Sequence, residues 1–205
     1  MKLLSDATTP FGRKVLVAAL ERSIEIQEEF VPLDGTGLLD RYNPLRQIPT
    51  LIAEDGRAIY DSDTIILYLD TRHDGDPLVP ESDRFGVLTR ATLGSGLIEA
   101  TLLRRMEVLR EPGERSDLFI RKMEERVART LAALEAQCAT LAFTAALRAD
   151  QITIACALGY VDFRYTDKWR DAHPQLAKWF GVVAKRPSMV ATAPTRSQPV
   201  AAKMQ

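Results

Sequence analysis

Apolar and polar positions change rhythm partway along this chain. From Asp83 onward, apolar or small residues recur at Leu88, Ala91, Ser95, Ile98, Leu102, Met106 and Leu109, in steps of three and four. After Pro112-Gly113 a second run, Ile120, Met123, Val127, Leu131, Leu134, Cys138 and Leu141, keeps the same step. A helix turns once every 3.6 residues, so each run makes one apolar stripe, and the two helices are expected to pack as an antiparallel pair. Two more helices are expected over Gln151 to Thr166 and Pro174 to Lys185.

The first part of the chain is choppier. Lys2–Ser5 reads as a short strand, and Pro10 opens a helix that contains Val15, Ala18, Ala19 and Leu20. Ile26–Val31 is a second strand. Thr50–Ala53 and Ala58–Tyr60 make a hairpin around Asp55-Gly56, where glycine accepts the positive φ of a tight turn. Helix resumes at Ser62, with Ile65, Ile66 and Leu69 on its buried side. The order βαβ then ββα predicts a small mixed sheet with helices, an α+β thioredoxin-like domain, followed by an all-α helical bundle. Between them, Asp74-Gly-Asp-Pro-Leu-Val-Pro80 breaks helix and strand alike. The expected domains are residues 1–75 and 83–205, joined by a linker over 76–82. The tail after Met189 lacks periodicity and is expected to be loose.

Composition narrows the function. With 205 residues, 46% of them hydrophobic, the chain can bury a substantial core. Basic residues (27) nearly balance acidic ones (28), which argues against a nucleic-acid partner. The balance hides a division: residues 1–75 hold 8 basic and 13 acidic residues, whereas 76–205 hold 19 and 15. Two cysteines, Cys138 and Cys156, make no disulfide framework and suit a reducing compartment. Two widely separated histidines and no Cys-x-x-Cys predict no metal site. The N-terminus lacks the apolar core of an export signal. The longest apolar stretch, Ile152 to Val161, has half the ~20 residues of a membrane span. A cytoplasmic protein with no membrane partner is expected.

Three local features carry chemistry. In Ser5-Asp-Ala-Thr-Thr-Pro-Phe-Gly-Arg-Lys-Val15, a strand ends, hydroxyls follow, and Pro10 takes the first helical position, where its missing N–H costs nothing. The free N–H groups there favour an anion, while the plain alternative is that Thr9 caps the helix. In Asn43-Pro-Leu-Arg-Gln-Ile-Pro-Thr-Leu51, Pro49 just before a strand is a candidate cis proline, which would leave the Ile48 backbone free to pair with an extended ligand. In Tyr60-Asp-Ser-Asp-Thr-Ile-Ile-Leu-Tyr-Leu69, Ser62 is expected to cap a helix with Asp61 just outside it. A carboxylate beside a helix N-terminus suits the ammonium and carboxylate of an amino-acid head group.

In order and spacing, these segments resemble the cytosolic glutathione S-transferase family, particularly its small bacterial members. Thr9-Pro-Phe-Gly-Arg-Lys-Val15 is similar to the family's Ser-Pro-Phe/Tyr-x-Arg-Lys-Val. Asn43 to Leu51 is similar to Asn-Pro-Leu-Gly-Lys-Val-Pro-x-Leu, and Asp61 to Leu69 to Glu/Asp-Ser-x-x-Ile-x-x-Tyr-Leu. Ile154 to Arg164 looks like the family's core helix, and His173 to Trp179 like the helix after it. The resemblance implies a homodimer that binds glutathione as cosubstrate, with Gln47, Ile48, Pro49, Asp61 and Ser62 holding the tripeptide. It aligns Thr9 with the hydroxyl that stabilises the thiolate, Ser5 and Thr8 being nearby substitutes. The small electrophile attacked by that thiolate is expected in a crevice lined by Phe11, Leu102, Arg105 and Met106, with Tyr160 or Phe163 beyond.

The sequence also departs from the family pattern. The first tyrosine is Tyr42 and the first cysteine Cys138, so neither a phenol nor a cysteine nucleophile stands at the end of the first strand. Arg46-Gln47 replaces Gly-Lys. Arg148 and Gln151 stand where a Ser/Thr-x-x-Asp capping box precedes the core helix, so the hydroxyl cap is missing. The implied activity is glutathione transfer. A glutathione-binding protein with little catalysis, and a glutathione-dependent peroxidase or dehalogenase, are the alternatives.

Overall fold

The choppy first part of the chain folds into a four-stranded sheet. The computed structural model describes residues 1–32, 37–142 and 145–194. Strands β1 (Lys2–Ser5), β2 (Gln27–Phe30), β3 (Thr50–Ile52) and β4 (Ala58–Ile59) lie in the order β2-β1-β3-β4. β2 runs parallel to β1, β3 antiparallel to β1, and β4 antiparallel to β3. Successive strand residues face opposite sides, so Leu3 and Leu4 of β1, both fully buried, enter different cores. Leu3 and Leu51 pack into the main core with α1 (Pro10–Glu21) and α3 (Ser62–Leu69). Leu4 joins Val31 and Leu39 on the other face, beneath α2 (Leu38–Tyr42). This second cover helix has only five residues, too short for any periodicity to announce it.

The helical half comprises α4 (Arg84–Val108), α5 (Asp117–Ala136), α6 (Ala149–Arg164), α7 (Trp169–Ala172), α8 (Pro174–Val183) and α9 (Pro187–Ala191). α4 packs against α5 as its stripe predicts, but α6 is its more extensive partner. α6 is buried on nearly every side, with Ile152, Ile154, Ala155, Cys156, Ala157 and Leu158 fully enclosed. The apolar run along α4 outlasts its partners: Ala91 and Ile98 are buried, while Met106 and Leu109 are 58% and 64% exposed. Where α4 crosses α6, a Cβ on Gly94 would stand 2.9 Å from Thr153 Cγ2 and 3.1 Å from the Ile154 nitrogen. Glycine at that point sets how closely the helices approach.

The missing hydroxyl cap of α6 is replaced rather than lost. Gln151 Oε1 accepts the Arg148 N–H at 2.8 Å, as the third position of a capping box does. The buried Asp150 carboxylate takes the Gln151 N–H at 2.9 Å and is neutralised by Arg90 at 2.6 Å and Arg148 at 3.2 Å. The segment before α4 is also held. Asp70 accepts the N–H groups of Leu78 and Val79, and Leu78 in turn accepts the Ala149 N–H of α6. α9 carries the helical chain to Ala191, two residues past Met189. α9 packs on α1, Met189 is 1% exposed, and its carbonyl accepts from Arg13 at 3.0 Å. The rest of the tail, from residue 195, lies outside the described residues. Among the described residues no helix is long and apolar enough to cross a membrane.

Candidate functional site

Strand register brings the three chemistry-bearing segments to one edge of the sheet. Leu4 pairs with Thr50 and Leu51 with Ile59, so the end of β1, the start of β3 and the end of β4 lie side by side. From that edge run the Thr9 turn, the Pro49 loop and the Asp61-Ser62 helix start.

The Thr9 turn is fixed by Asp6. Its Oδ1 accepts both the Thr8 N–H and the Thr8 hydroxyl at 2.8 Å, an Asx turn that commits the Thr8 hydroxyl. Thr9 is extended (φ −73°, ψ 121°), and its carbonyl receives the Arg13 N–H at 3.0 Å as α1 begins. The Thr9 side chain makes no hydrogen bond to the helix, so capping is not its role here. Its methyl group rests against Gly12, where an added Cβ would come within 2.7 Å of Thr9 Cγ2 and collide with Ser5 Oγ. Ser5 itself is fully buried at the end of β1. Of the three hydroxyls expected to compete for a thiol, Thr9 alone is both partly exposed and uncommitted. It borders a groove of about 560 Å³ whose walls include Asp6, Arg13, Phe30 and Ala193.

The Ile48–Pro49 bond is cis. Asn43, 1% exposed, knots the loop before it: its Nδ2 donates to the Gln47 carbonyl and to Thr50 Oγ1, both at 2.9 Å, and its Oδ1 accepts the Leu45 N–H at 3.0 Å. None of the described hydrogen bonds uses the Ile48 N–H or C=O, which leaves that backbone edge open. Arg46 adopts φ 52°, in the region where glycine is at ease, and its guanidinium is bound to Asp40 with Nε 2.6 Å from Oδ1. The cation that sequence places in this loop is therefore turned toward α2. Gln47 is exposed beside it.

At the start of α3 the cap falls one residue earlier than expected. Asp61 is the cap, its carboxylate accepting the Asp63 N–H at 2.7 Å, and Ser62 is the first helical residue, 2% exposed. Asp61 remains exposed, with its other oxygen uncommitted.

On the helical side, two adjacent arginines of α4 act on different neighbours. Arg104 pairs with Glu124 of α5 at 2.8 Å and lies over the Tyr165 ring at 3.9 Å. Arg105 acts electrostatically on Tyr160 and Arg164 of α6. Tyr160 is 4% exposed and lines a small cavity with Thr9, Pro10, Arg13 and Cys156. Burial pushes its hydroxyl above the ordinary tyrosine value, although Arg164 and Arg105 pull the other way. Phe11 and Leu102 are partly buried against the main core, Phe163 is also partly buried, and Met106 stands exposed near the outer end of α4. Burial raises the Cys156 thiol to about 11, so it stays a protonated packing residue. Two residues of this region stand inside the motif segments but have no role assigned to them there. Asn43 is visible only as an Asn-Pro turn, and Arg164 only as the residue one helical turn beyond Tyr160.

A four-stranded thioredoxin-like sheet joined to a helical bundle defines the class. Sequence profiles agree: that of the glutathione S-transferase N-terminal domain matches residues 8–72, and that of the C-terminal domain matches residues 100–181. The chain belongs to the glutathione S-transferase family. It is 38% identical to a glutathione transferase family member from Pseudomonas fluorescens Pf-5, solved with S-(propanoic acid)-glutathione bound, at a TM-score of 0.86 over 95% of this chain and 100% of that one. A glutathione S-transferase from Methylobacillus flagellatus KT, solved with glutathione bound, is 32% identical, with a TM-score of 0.89 over 95% of this chain and 99% of its own. The uncharacterized GST-like protein YibF of Escherichia coli K12 is 29% identical, covering 96% of this chain and all of its own length.

Proposed function

We propose that this protein is a glutathione transferase in which the Thr9 hydroxyl stabilises the glutathione thiolate for attack on a small electrophile. The observation that carries the reading is the uncommitted Thr9 hydroxyl at the head of α1, on the same sheet edge as cis-Pro49 and Asp61-Ser62. A free thiol has a pKa of about 8.5, so only a few per cent is thiolate at neutral pH. A hydroxyl donor and the partial positive charge of a helix N-terminus lower that value, and a shift of one to two units is worth roughly 1.4–2.7 kcal/mol. The extended tripeptide pairs with the Ile48 backbone before Pro49, with Gln47 beside it, and its γ-glutamyl head is held by Asp61 and Ser62. Two solved relatives support the assignment, one holding glutathione and the other a glutathione whose sulfur carries a propanoic acid group.

The same reading carries a cytoplasmic homodimer in which the acidic first domain of one copy faces the basic helical domain of the other. Exposed Phe85 at the start of α4 (80%) and Leu67 on α3 (38%) supply apolar surface, one on each domain.

Glutathione affinity and the pH profile of conjugation to an activated aryl halide test the assignment in wild type, Thr9→Val, Thr9→Ser and Asp61→Ala. Thr9→Val is expected to raise the bound thiol pKa by about one to two units and slow turnover at neutral pH by about ten- to a hundredfold, with Thr9→Ser near wild type. An unchanged profile in Thr9→Val removes the thiolate role from Thr9. Unaltered affinity in Asp61→Ala removes the head-group assignment.

A further inference from the structure

We propose that the second-substrate site takes an electrophile bearing a carboxylate, held by Arg105 and Arg164 beside Tyr160. The inference rests on the transferase reading and adds a substrate class to it. Tyr160 and Arg164 are four residues apart on α6 and so share a face, and Tyr160 lines the cavity that reaches Thr9. Arg164 lies over the Phe163 ring at 4.0 Å, and its buried Nε meets no acceptor among the described residues. The charge of Arg105, on α4, acts on the same Tyr160 and Arg164. Neither arginine has a carboxylate ion pair among the described residues, whereas neighbouring Arg104 is matched with Glu124.

Arg164 loses hydration on burial, and the Arg105 charge acts on it unfavourably across the packed α4 and α6. Among the described residues Asp6 is the carboxylate whose charge favours Arg164, and it is already engaged by the Thr8 N–H and hydroxyl, so an excess of positive charge remains. An arginine at a helix C-terminus is ordinarily satisfied by water and the helix carbonyls. This one has an orphaned buried Nε, a planar ring beneath it and the charge of a second arginine acting on it. That set matches a planar anion, whose oxygens accept from guanidinium N–H groups in charge-assisted hydrogen bonds.

The test uses a matched pair, 4-chloro-3-nitrobenzoate and 4-chloro-3-nitrobenzamide. In both, the glutathione thiolate forms the C–S bond at the chlorine-bearing carbon and chloride leaves with the bonding pair. The carboxylate or amide only positions the ring. Each kcat/KM is divided by the uncatalysed rate with glutathione. Wild type is expected to favour the benzoate by about tenfold or more. Arg105→Gln and Arg164→Gln should each lower the benzoate rate by about ten- to a hundredfold and the benzamide rate by much less, with glutathione affinity and bound thiol pKa unmoved. Arg164→Lys should keep part of the preference. Equal use of the two substrates by wild type, or an equal loss of both in the Gln variants, overturns the proposal. Binding of 3-nitrobenzoate to the protein alone, lost in both Gln variants, is read separately. Failure of glutathione to bind therefore sinks the transferase reading while the anion site is judged on 3-nitrobenzoate.

Discussion

The fully buried Lys14 ammonium of α1 meets the Asp63 carboxylate of α3 at 2.6 Å, and Ser95 of α4 bridges them, 3.0 Å from each. The pair ties the helix that begins at Thr9 to the one that begins at Asp61-Ser62, and both to the helical bundle. Its two ends differ in burial: the Lys14 side chain is 0% exposed and that of Asp63 is 43%. Removing Asp63 strands a buried cation, whereas removing Lys14 leaves a carboxylate that water can reach. Asp63→Ala should therefore cost about 3 kcal/mol, and Lys14→Met no more than about 1 kcal/mol. Denaturation midpoints of the two variants check the asymmetry, which equal losses would refute.

Arg46 occupies a left-handed backbone conformation, φ 52°, without being glycine. Its ion pair with Asp40 is mostly exposed, with side chains 61% and 34% accessible, and pairs of that kind contribute at most about 1 kcal/mol. Arg46→Gly gives up the pair but relieves the backbone, while Arg46→Ala gives up the pair and keeps the strained φ. The glycine variant should be the more stable of the two by about 1 kcal/mol in urea unfolding. If the alanine variant matches it, the loop carries no strain at this position.

What could be read from the sequence was whatever local pattern controls. The strand at Lys2–Ser5, the helix opened by Pro10, the hairpin around Gly56 and the long helices over 84–108 and 117–136 follow from periodicity and turn chemistry. The three motif segments also land on one sheet edge, because β1, β3 and β4 bring them there. Contacts between distant segments were not legible. Period alone does not reveal that α6 rather than α5 is the main partner of α4, nor that the Arg105 charge acts on Arg164 while Arg104 pairs with Glu124. Short elements were lost for the same reason: α2 and α9, five residues each, owe their existence to the Leu4-Val31-Leu39 core and to the docking of Met189 and Arg13. The cap of α3 falls on Asp61 rather than Ser62 because either residue type can cap, and the choice depends on backbone angles that sequence does not print.

Glycines inside helices divide by what surrounds them. A Cβ on Gly94 would press on the backbone of α6, at Thr153 C and Ile154 N, both 3.1 Å away, and backbone gives little. At Gly181 of α8 nothing lies within 4 Å of the added carbon. Gly94→Ala should destabilise by about 1–3 kcal/mol through overpacking. Gly181→Ala should stabilise by up to about 1 kcal/mol through helix propensity alone. Opposite shifts in thermal midpoint are the expected result, and shifts of one sign would contradict the crossing geometry.

Glu21 at the end of α1 closes the domain junction against the C-terminal segment. Its carboxylate accepts from Arg186 Nε at 2.9 Å and from the Ser188 hydroxyl, and Arg186 also donates to the Ala145 carbonyl. Burial alone would raise this carboxyl. The Arg186 and Ser188 hydrogen bonds and the Arg186 charge outweigh it, and the group is held below its ordinary value of 4.5. A carboxyl depressed in the folded state contributes stability that is complete above the unfolded value and drains away as pH falls through the folded one. The junction should accordingly be indifferent to pH above 5.5 or so, about one unit over the ordinary value, and weaken progressively below 4.5. Glu21→Gln keeps an acceptor but removes the charge. It should lower the midpoint at neutral pH and flatten the loss on acidification, so that the two proteins converge in acid. Midpoints that stay parallel from neutral pH down to acid would show that other carboxylates set the acid limb.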